Sequence, residues 1–160
     1  MKSVYIETTI PSLMTSKPSR DMIVAVRQAA TILFWENERH KYELYISQFV
    51  IDECSQGDVN TAKRRLELIE GIPLIPHSEQ VVLLAYNYQE LLVIPEKAKT
   101  DCFHLAACVI AEIDFLLSWN CVHLGIQTYS KIKNYNESKN LFTPLLITPE
   151  ALIEINERLE

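Results

Sequence analysis

The sequence predicts a three-layer α/β/α domain with a central, mainly parallel sheet of about five strands. The first observation behind this prediction is that short runs of β-forming residues alternate with longer segments whose apolar residues recur at helical spacing. The second is size and composition, since 160 residues, 48% of them hydrophobic and 22% charged, suit one globular core. We therefore expect a single domain that spans residues 1–160.

Five short segments have the composition of β-strands. The first is rich in β-forming residues, and the fourth is an apolar run too short for a helix, which favours a buried strand. Pro73 lies inside the third segment and has no backbone N–H, so we place that strand at an edge of the sheet. The predicted strands cover residues 2–7, 42–47, 72–75, 113–117 and 144–147.

The segments between the strands are mostly helical by their apolar spacing. Two prolines punctuate residues 8–18, which we therefore predict to be a turn region. The residues suited to helix ends are Ser47, Asp58 or Asn60, Ser78 and Thr148 at the starts and Gly71 after an end. The predicted helices cover residues 21–39, 47–53, 58–70, 77–92 and 99–112, with 125–137 helical or looped and a last helix from Thr148.

Composition limits the partners and the location of the protein. The 15 basic and 21 acidic residues give a net charge of −6, which argues against a broad basic face for long nucleic acid but leaves room for a local single-strand cleft. No apolar run is long enough to cross a bilayer and no signal core is visible, so we expect a cytoplasmic location and no membrane partner. Four cysteines without zinc-like spacing are expected to be reduced structural thiols: Cys54, Cys102, Cys108 and Cys121.

Four polar side chains are predicted to meet at the carboxyl edge of the sheet, where ligands of parallel α/β sheets bind. Glu7 ends the first strand, Asn120 follows the fourth, and Glu53 lies in the helix after the second strand. Asp101 lies early in the apolar helix before the fourth strand, where an ionised carboxylate is costly to bury without a partner or a metal. If the first and fourth strands are neighbours, all four side chains can converge.

Three carboxylates and one amide oxygen form a ligand set for Mg²⁺ or Mn²⁺ rather than for zinc, which prefers nitrogen and sulfur. Such an ion lowers the pKa of a bound water, orients it toward a phosphodiester and neutralises charge on the phosphate, so no covalent enzyme intermediate is needed. With three glycines in the chain and no Walker-type or GxGxxG loop, dinucleotide binding is disfavoured. The residues therefore favour metal-dependent phosphodiester hydrolysis.

Four segments stand out when the chain is read in order: YIETTIPS, FVIDECSQGD, TDCFHLAACVIAEIDFLLSWNCVHL and ITPEALI. Their order and spacing resemble the PIN-domain family, most closely the VapC-type toxin ribonucleases of type II toxin–antitoxin pairs, over about residues 2–153. The resemblance implies a three-layer α/β fold, cleavage of RNA that depends on Mg²⁺ or Mn²⁺, and an acidic quartet as the metal site. It also implies a small antitoxin protein as a partner and leaves open whether the protein forms a homodimer.

Carried over by position, the resemblance places Glu7, Glu53, Asp101 and Asn120 at the four metal-site positions, with Thr8 as the small hydroxyl residue beside the first acid. Two of these residues depart from the family pattern. Glu7 is one methylene longer than the usual Asp, so either the metal lies farther from the strand or the carboxylate bends back. Asn120 gives a neutral oxygen where a fourth acid is usual, so weaker metal binding is expected.

Several nearby residues have a structural interpretation beside the functional one. Asp114 lies at the opposite end of its strand from Asn120, about 20 Å away, and is discounted as a ligand. His104 and His123 lie in apolar surroundings and are expected to be hydrogen-bonded structural histidines. At the other positions a structural role competes with the functional one. Asp101 and Glu53 can be solvated helix carboxylates, and Trp119 can pack in the domain instead of stacking on a base. Lys63, Arg64 and Arg65 can form a solvated face instead of contacting phosphates, and residues 23–35 can form a core helix instead of an antitoxin groove.

These observations lead to one hypothesis and two rivals. The leading hypothesis is a Mg²⁺- or Mn²⁺-dependent endoribonuclease that acts as the toxin of a toxin–antitoxin pair. In it Glu7, Asp101 and Asn120 hold the principal ion, and Glu53 completes the pocket and orients water or a second ion. The first rival is a non-catalytic PIN-like interaction module with a degenerate metal site. The second is a small-molecule phosphohydrolase that uses the same metal chemistry.

Overall fold

A four-stranded parallel sheet flanked by helices forms the centre of the fold, in a computed structural model that describes residues 1–120 and 126–159. The strands are β1 (Lys2–Ile6), β2 (Tyr42–Tyr45), β3 (Phe115–Leu117) and β4 (Leu145–Ile147), in the spatial order β2-β1-β3-β4. This architecture confirms the predicted α/β class. The described residues contain one strand fewer than the five expected.

The central strand β1 determines where the chemistry lies. It pairs in parallel with β2 on one side and with β3 on the other, so that Val4 faces both Leu44 and Phe115 in the register. The first strand and the strand before Asn120 are therefore neighbours, as the predicted convergence requires. Because β1 lies between β2 and β3, the chain leaves the sheet at Glu7 in the middle of its carboxyl edge. The last three residues of β1 are fully buried.

The prediction of a third strand at residues 72–75 is wrong. This segment forms an isolated parallel bridge beside β2, in which the Ile46 N–H donates to the Pro73 carbonyl at 3.0 Å and the Ile75 N–H donates to the Ile46 carbonyl at 2.7 Å. Pro73 has no backbone N–H to donate toward β2, and the chain beyond Ile46 begins a helix at Gln48, so the bridge extends in neither direction. The segment lies at the edge of the sheet, as predicted, but it contributes no strand.

The turn region predicted for residues 8–18 is also wrong, because Thr9–Thr15 forms helix α1. Pro11 is the third residue of this helix, within the first turn, where a backbone N–H would have no intrahelical acceptor. The proline is therefore compatible with the helix that it was expected to interrupt. Pro18 lies beyond the helix end.

The remaining helices follow the predicted order. They are α2 (Met22–Leu33), α3 (Gln48–Cys54), α4 (Val59–Ile69), α5 (Glu79–Leu92), α6 (Lys99–Ile110), α7 (Ile126–Ser138) and α8 (Pro149–Leu159). A π-helical turn at Phe34–Glu38 and a 3₁₀ turn at Arg39–Lys41 continue α2, and a second 3₁₀ turn at Glu96–Ala98 precedes α6. No helix among the described residues is long and apolar enough to span a membrane.

Three of the predicted caps are confirmed. Side chains of Asp58, Ser78 and Thr148 accept hydrogen bonds from backbone N–H groups in the first turns of α4, α5 and α8. Gly71 follows α4 at a φ of +79°, a conformation that other residues rarely adopt. Ser47 precedes α3 but makes no side-chain capping bond, because its hydroxyl has a different partner that is described below.

The predicted structural thiols are buried at the three positions that the structure describes, Cys54, Cys102 and Cys108. Burial raises the pKa of the Cys54 thiol to about 11 and that of Cys102 to about 12. These thiols are therefore protonated and unreactive at neutral pH. Cys121 and His123 lie outside the described residues.

Asp114 is a structural residue at the amino edge of the sheet. Its carboxylate accepts hydrogen bonds from the Ser3 N–H at 2.9 Å, the Ser3 hydroxyl at 3.0 Å and the Lys2 ammonium at 2.8 Å. Partial burial raises the pKa of the carboxyl, but these hydrogen bonds outweigh burial and hold the pKa below its ordinary value. Asp114 therefore lies at the opposite edge of the sheet from Glu7, in agreement with the prediction that it is not a ligand.

We expect Asp114→Ala to lower the free energy of unfolding by about 1–3 kcal/mol at pH 7, because the Ser3 donors lose their acceptor. The native pKa is depressed, so the stabilisation is complete above the carboxyl's unfolded-state pKa and is lost as pH falls through the native value. Urea unfolding between pH 7 and pH 3 measures both effects, with Ala at the exposed Glu157 as the control. A loss of stability that is independent of pH would contradict the assignment.

Candidate active site

The carboxylate of Glu7 lies directly after β1 and is only 2% exposed. Its Oε2 accepts three hydrogen bonds, from the Thr9 N–H at 3.0 Å, the Thr9 hydroxyl at 2.5 Å and the Ser118 hydroxyl at 2.7 Å. The bonds to Thr9 fold the side chain back onto its own chain, which is one of the two accommodations expected for its extra methylene. Within the described residues, Oε1 receives no hydrogen bond.

The two hydroxyls that hold Glu7 also fix the loop after β3. Thr9 Oγ1 accepts a hydrogen bond from the Trp119 N–H at 3.0 Å, and Ser118 Oγ accepts one from the Asn120 N–H at 2.9 Å. The backbone N–H groups of Trp119 and Asn120 are thereby each connected to the Glu7 carboxylate through one hydroxyl group. Asn120 itself is exposed.

Glu53 brings the second carboxylate to this edge from α3. Its Oε1 accepts a hydrogen bond from the Thr8 hydroxyl at 2.9 Å and lies 2.5 Å from His104 Nε2. Burial raises the pKa of the Glu53 carboxyl, but the hydrogen bond and charge of His104 outweigh burial, so the pKa lies below its ordinary value. Within the described part of the chain, Glu53 Oε2 receives no hydrogen bond.

His104 connects Glu53 to the interior of the domain. The ring, 1% exposed, lies on α6 with Nδ1 2.6 Å from the Tyr5 hydroxyl, which in turn lies 2.6 Å from the hydroxyl of Ser47. Burial lowers the pKa of His104, but the Glu53 carboxylate, with smaller contributions from Glu7 and Asp101, raises it above its ordinary value. The prediction of a hydrogen-bonded histidine is confirmed, with an acid of the predicted quartet as its partner.

Glu7, Glu53 and His104 form a compact cluster in which one potential ligand atom from each lies within 4.8 Å of the others. Both ring nitrogens of His104 already have hydrogen-bond partners. Counting only residues 1–120 and 126–159, the ligand atoms without a hydrogen-bond partner are one oxygen of each carboxylate. Carboxylate oxygen is a preferred ligand of Mg²⁺ and Mn²⁺. The donor set therefore fits a hard divalent cation held by Glu7 and Glu53.

The structure brings together two of the four predicted ligands and leaves the other two beside them. Asp101 lies in the first turn of α6, one turn before His104, and its charge contributes to the raised pKa of that histidine. Among the described residues it does not belong to the 4.8 Å cluster. Asn120 joins the site through its backbone bond to Ser118.

Two neighbouring residues have structural roles. Trp119 is buried and donates its indole N–H to the Thr31 hydroxyl at 2.9 Å, so it packs in the core as expected. Arg65, part of the basic run on α4, donates to backbone carbonyls of Cys54 and Gln56 at the end of α3. It therefore connects α3 to α4.

Thr8 and His104, which hold Glu53, were singled out in the sequence, whereas the roles of Thr9 and Ser118 at Glu7 were not predicted. Thr9 and Ser118 stand beside predicted ligands, and their small hydroxyls at strand ends were a readable signal. His104 stands one turn after Asp101 on a predicted helix, which places both on neighbouring positions of one face. The contacts of Tyr5 with Ser47 and His104 join segments far apart in the chain and have no local signature.

Comparison with known proteins shows that the fold is the PIN-like fold implied by the sequence resemblance. The chain is similar to one chain in the crystal structure of VapBC2 from Rickettsia felis, which is bound to a DNA fragment from the VapBC2 promoter. The likeness covers 92% of this chain and 98% of that chain with a TM-score of 0.52 and 13% sequence identity. The sequence matches no protein-family model, and no curated protein matches it.

We expect Tyr5→Phe to destabilise the domain by about 1–3 kcal/mol, because it leaves a buried Ser47 hydroxyl and a buried His104 nitrogen without their partner. Urea unfolding measures this loss. Tyr86→Phe, at a side chain that is 54% exposed, is the matched control and should change stability by less than about 0.5 kcal/mol. Equal effects of the two substitutions would show that the buried hydrogen bonds of Tyr5 with Ser47 and His104 contribute no stability.

Proposed function

We propose that this protein is a Mg²⁺- or Mn²⁺-dependent endoribonuclease that hydrolyses phosphodiester bonds of RNA. One observation carries the proposal. At the carboxyl edge of a PIN-like sheet, Glu7 and Glu53 are each held through one carboxylate oxygen, while the described residues give the other oxygen no hydrogen bond. Two fixed carboxylates with one available oxygen each are suited to bind a divalent cation.

Electrostatics supports a cation at this position. One carboxylate oxygen of Glu7 and one of Glu53 lie within 4.8 Å of each other, and Asp101 adds a third negative charge nearby. At about that distance two like charges repel each other by about 3 kcal/mol at an effective dielectric constant of about 20. The contact of His104 Nε2 with Glu53 Oε1 offsets part of this repulsion. A divalent cation would remove the remainder, which is a physical reason for the cluster to bind one.

Under this proposal Glu7 and Glu53 would hold the ion, and the side chains of Asp101 and Asn120 would complete the site. The bound ion supplies a water of lowered pKa and neutralises charge on the phosphate. Thr9 and Ser118 keep Glu7 in place, and Thr8 does the same for Glu53. Because Asn120 is neutral, the site has one negative charge fewer than a quartet of acids, so its metal affinity should be lower.

We also propose a protein partner and a cytoplasmic location. The resemblance to VapC-type toxins and the structural likeness to VapBC2 support a toxin held inactive by a small antitoxin protein in the cytoplasm. Helix α2 offers a surface for such a partner, because Met22, Ile23 and Val26 expose 82%, 67% and 56% of their area. The end of the same apolar segment, at Phe34 and Trp35, is buried in the core.

The nuclease activity is tested with a pool of structured and single-stranded RNA incubated with Mg²⁺, Mn²⁺ or a chelator. We expect metal-dependent cleavage that Glu7→Gln and Asp101→Asn each lower by at least about a hundredfold, since each removes a charge that stabilises the transition state through the metal. Asp52→Asn is the matched control, because Asp52 is an exposed acid beside Glu53 on the same helix.

Two results would contradict the proposal. Folded wild-type protein that cuts no RNA with either ion would favour the non-catalytic interaction module. Turnover of small phosphate esters without RNA cleavage would favour the phosphohydrolase instead.

Toxin activity is tested separately by controlled expression in bacterial cells. We expect the wild-type protein to arrest growth and Glu7→Gln, made at the same level, to permit it, because arrest requires RNA cleavage. Growth is measured by optical density and colony counts, with Asp52→Asn again as the control. Arrest by Glu7→Gln would separate any toxicity from the proposed site.

A further inference from the structure

The hydrogen-bond chain from Ser47 through Tyr5 and His104 to Glu53 has no role in the proposed chemistry so far. We propose that His104 is a positioning residue: it fixes the Glu53 carboxylate through Oε1 and thereby reserves Oε2 for a divalent cation, without binding the cation itself. This inference rests on the proposed function.

The chain is anchored in the core by Ser47 and Tyr5. Ser47 occupies the position before α3 where a serine usually caps the helix, yet its hydroxyl bonds to Tyr5 instead. Tyr5 lies on β1, the central strand, and is fully buried. The anchor therefore joins the start of the helix that carries Glu53 to the buried central strand of the sheet.

The ring of His104 is held in one orientation by contacts on several sides. Its Nδ1 is bonded to Tyr5, and its centroid lies 5.7 Å from the Tyr5 ring and 6.3 Å from the ring of Phe49. Phe49 precedes Glu53 by one turn of α3, so the helix that carries the carboxylate also packs against the imidazole. With the ring immobile, the position of Nε2 is set.

The order of donors along the chain places a proton on the correct nitrogen. Ser47 can donate to the Tyr5 oxygen, Tyr5 can donate to His104 Nδ1, and Nε2–H then donates to Glu53 Oε1. In the protonated imidazolium both nitrogens carry a proton. In either state Nε2 is a donor toward Glu53 and has no lone pair for a metal.

The restraint on Glu53 matters because its side chain is only partly buried. A glutamate has several rotatable bonds, and ordering it at the moment of metal binding would cost conformational entropy. His104 and Thr8 together hold Oε1 before any ion arrives. Groups that orient a metal ligand in this way typically contribute about 10- to 100-fold to metal affinity.

Two substitutions of His104 separate positioning from packing. Both remove the ring, but the His104→Gln amide can replace Nε2 and donate to Glu53, whereas the shorter His104→Asn amide can replace Nδ1 and reach only Tyr5. Binding of Mn²⁺ alone, without RNA, is measured by electron paramagnetic resonance, and kcat and KM for RNA cleavage are measured in parallel. His40→Gln, at an exposed histidine, is the matched control.

We expect His104→Asn to weaken Mn²⁺ binding at least about tenfold and to lower kcat more than it changes KM. His104→Gln should stay within about threefold of the wild type, although thermal unfolding should show that both variants lose some stability. Pulsed resonance spectra of Mn²⁺ on the wild-type protein should show no directly coordinated nitrogen, a result that does not depend on any variant folding.

The outcomes distinguish this inference from the proposed function. If the wild type binds Mn²⁺ and cuts RNA while both variants match it, or both fail equally, His104 does not act by positioning and the nuclease proposal stands. A directly coordinated imidazole nitrogen would make His104 a ligand and would also overturn the inference. A folded wild type that neither binds Mn²⁺ nor cuts RNA would overturn the proposed function and this inference with it.

Discussion

The burial of the Glu7 carboxylate is the constraint on which the carboxyl edge of the sheet depends. A charged group at the end of the central strand is stable there only if its oxygens have partners. Thr9 and Ser118 supply three hydrogen bonds to one oxygen and so connect β1 to α1 and to the loop after β3. The other oxygen has no such partner among the described residues, which is why the proposal assigns a cation to it.

Glu53 repeats this arrangement with partners from other elements. One of its oxygens is held by Thr8, which directly follows Glu7, and by His104 on α6. The two carboxylates are therefore connected through β1, α3 and α6 rather than through one flexible loop. Such sharing fixes the distance between them before a ligand binds, which is the preorganisation that metal-dependent hydrolysis requires.

Local patterns in the sequence were enough to predict the order of the four strands and of the helices after α1, three helix caps, and the places of Glu7 and Glu53 at one edge. Patterns failed where a residue's role depends on its exact position. Pro11 was taken to break a helix that its first-turn position permits, and Pro73 allowed only a bridge where a strand was expected. The bond between Ser47 and Tyr5 joins residues distant in the chain, so no local spacing could reveal it.

The most direct test of the account is a crystal structure of the protein grown with Mn²⁺ and measured for anomalous scattering. We expect a manganese peak bonded to Glu7 Oε1 and Glu53 Oε2, with His104 Nε2 still bonded to Glu53 Oε1. The absence of a peak at this edge at millimolar Mn²⁺, or a peak at any other place on the protein alone, would contradict it.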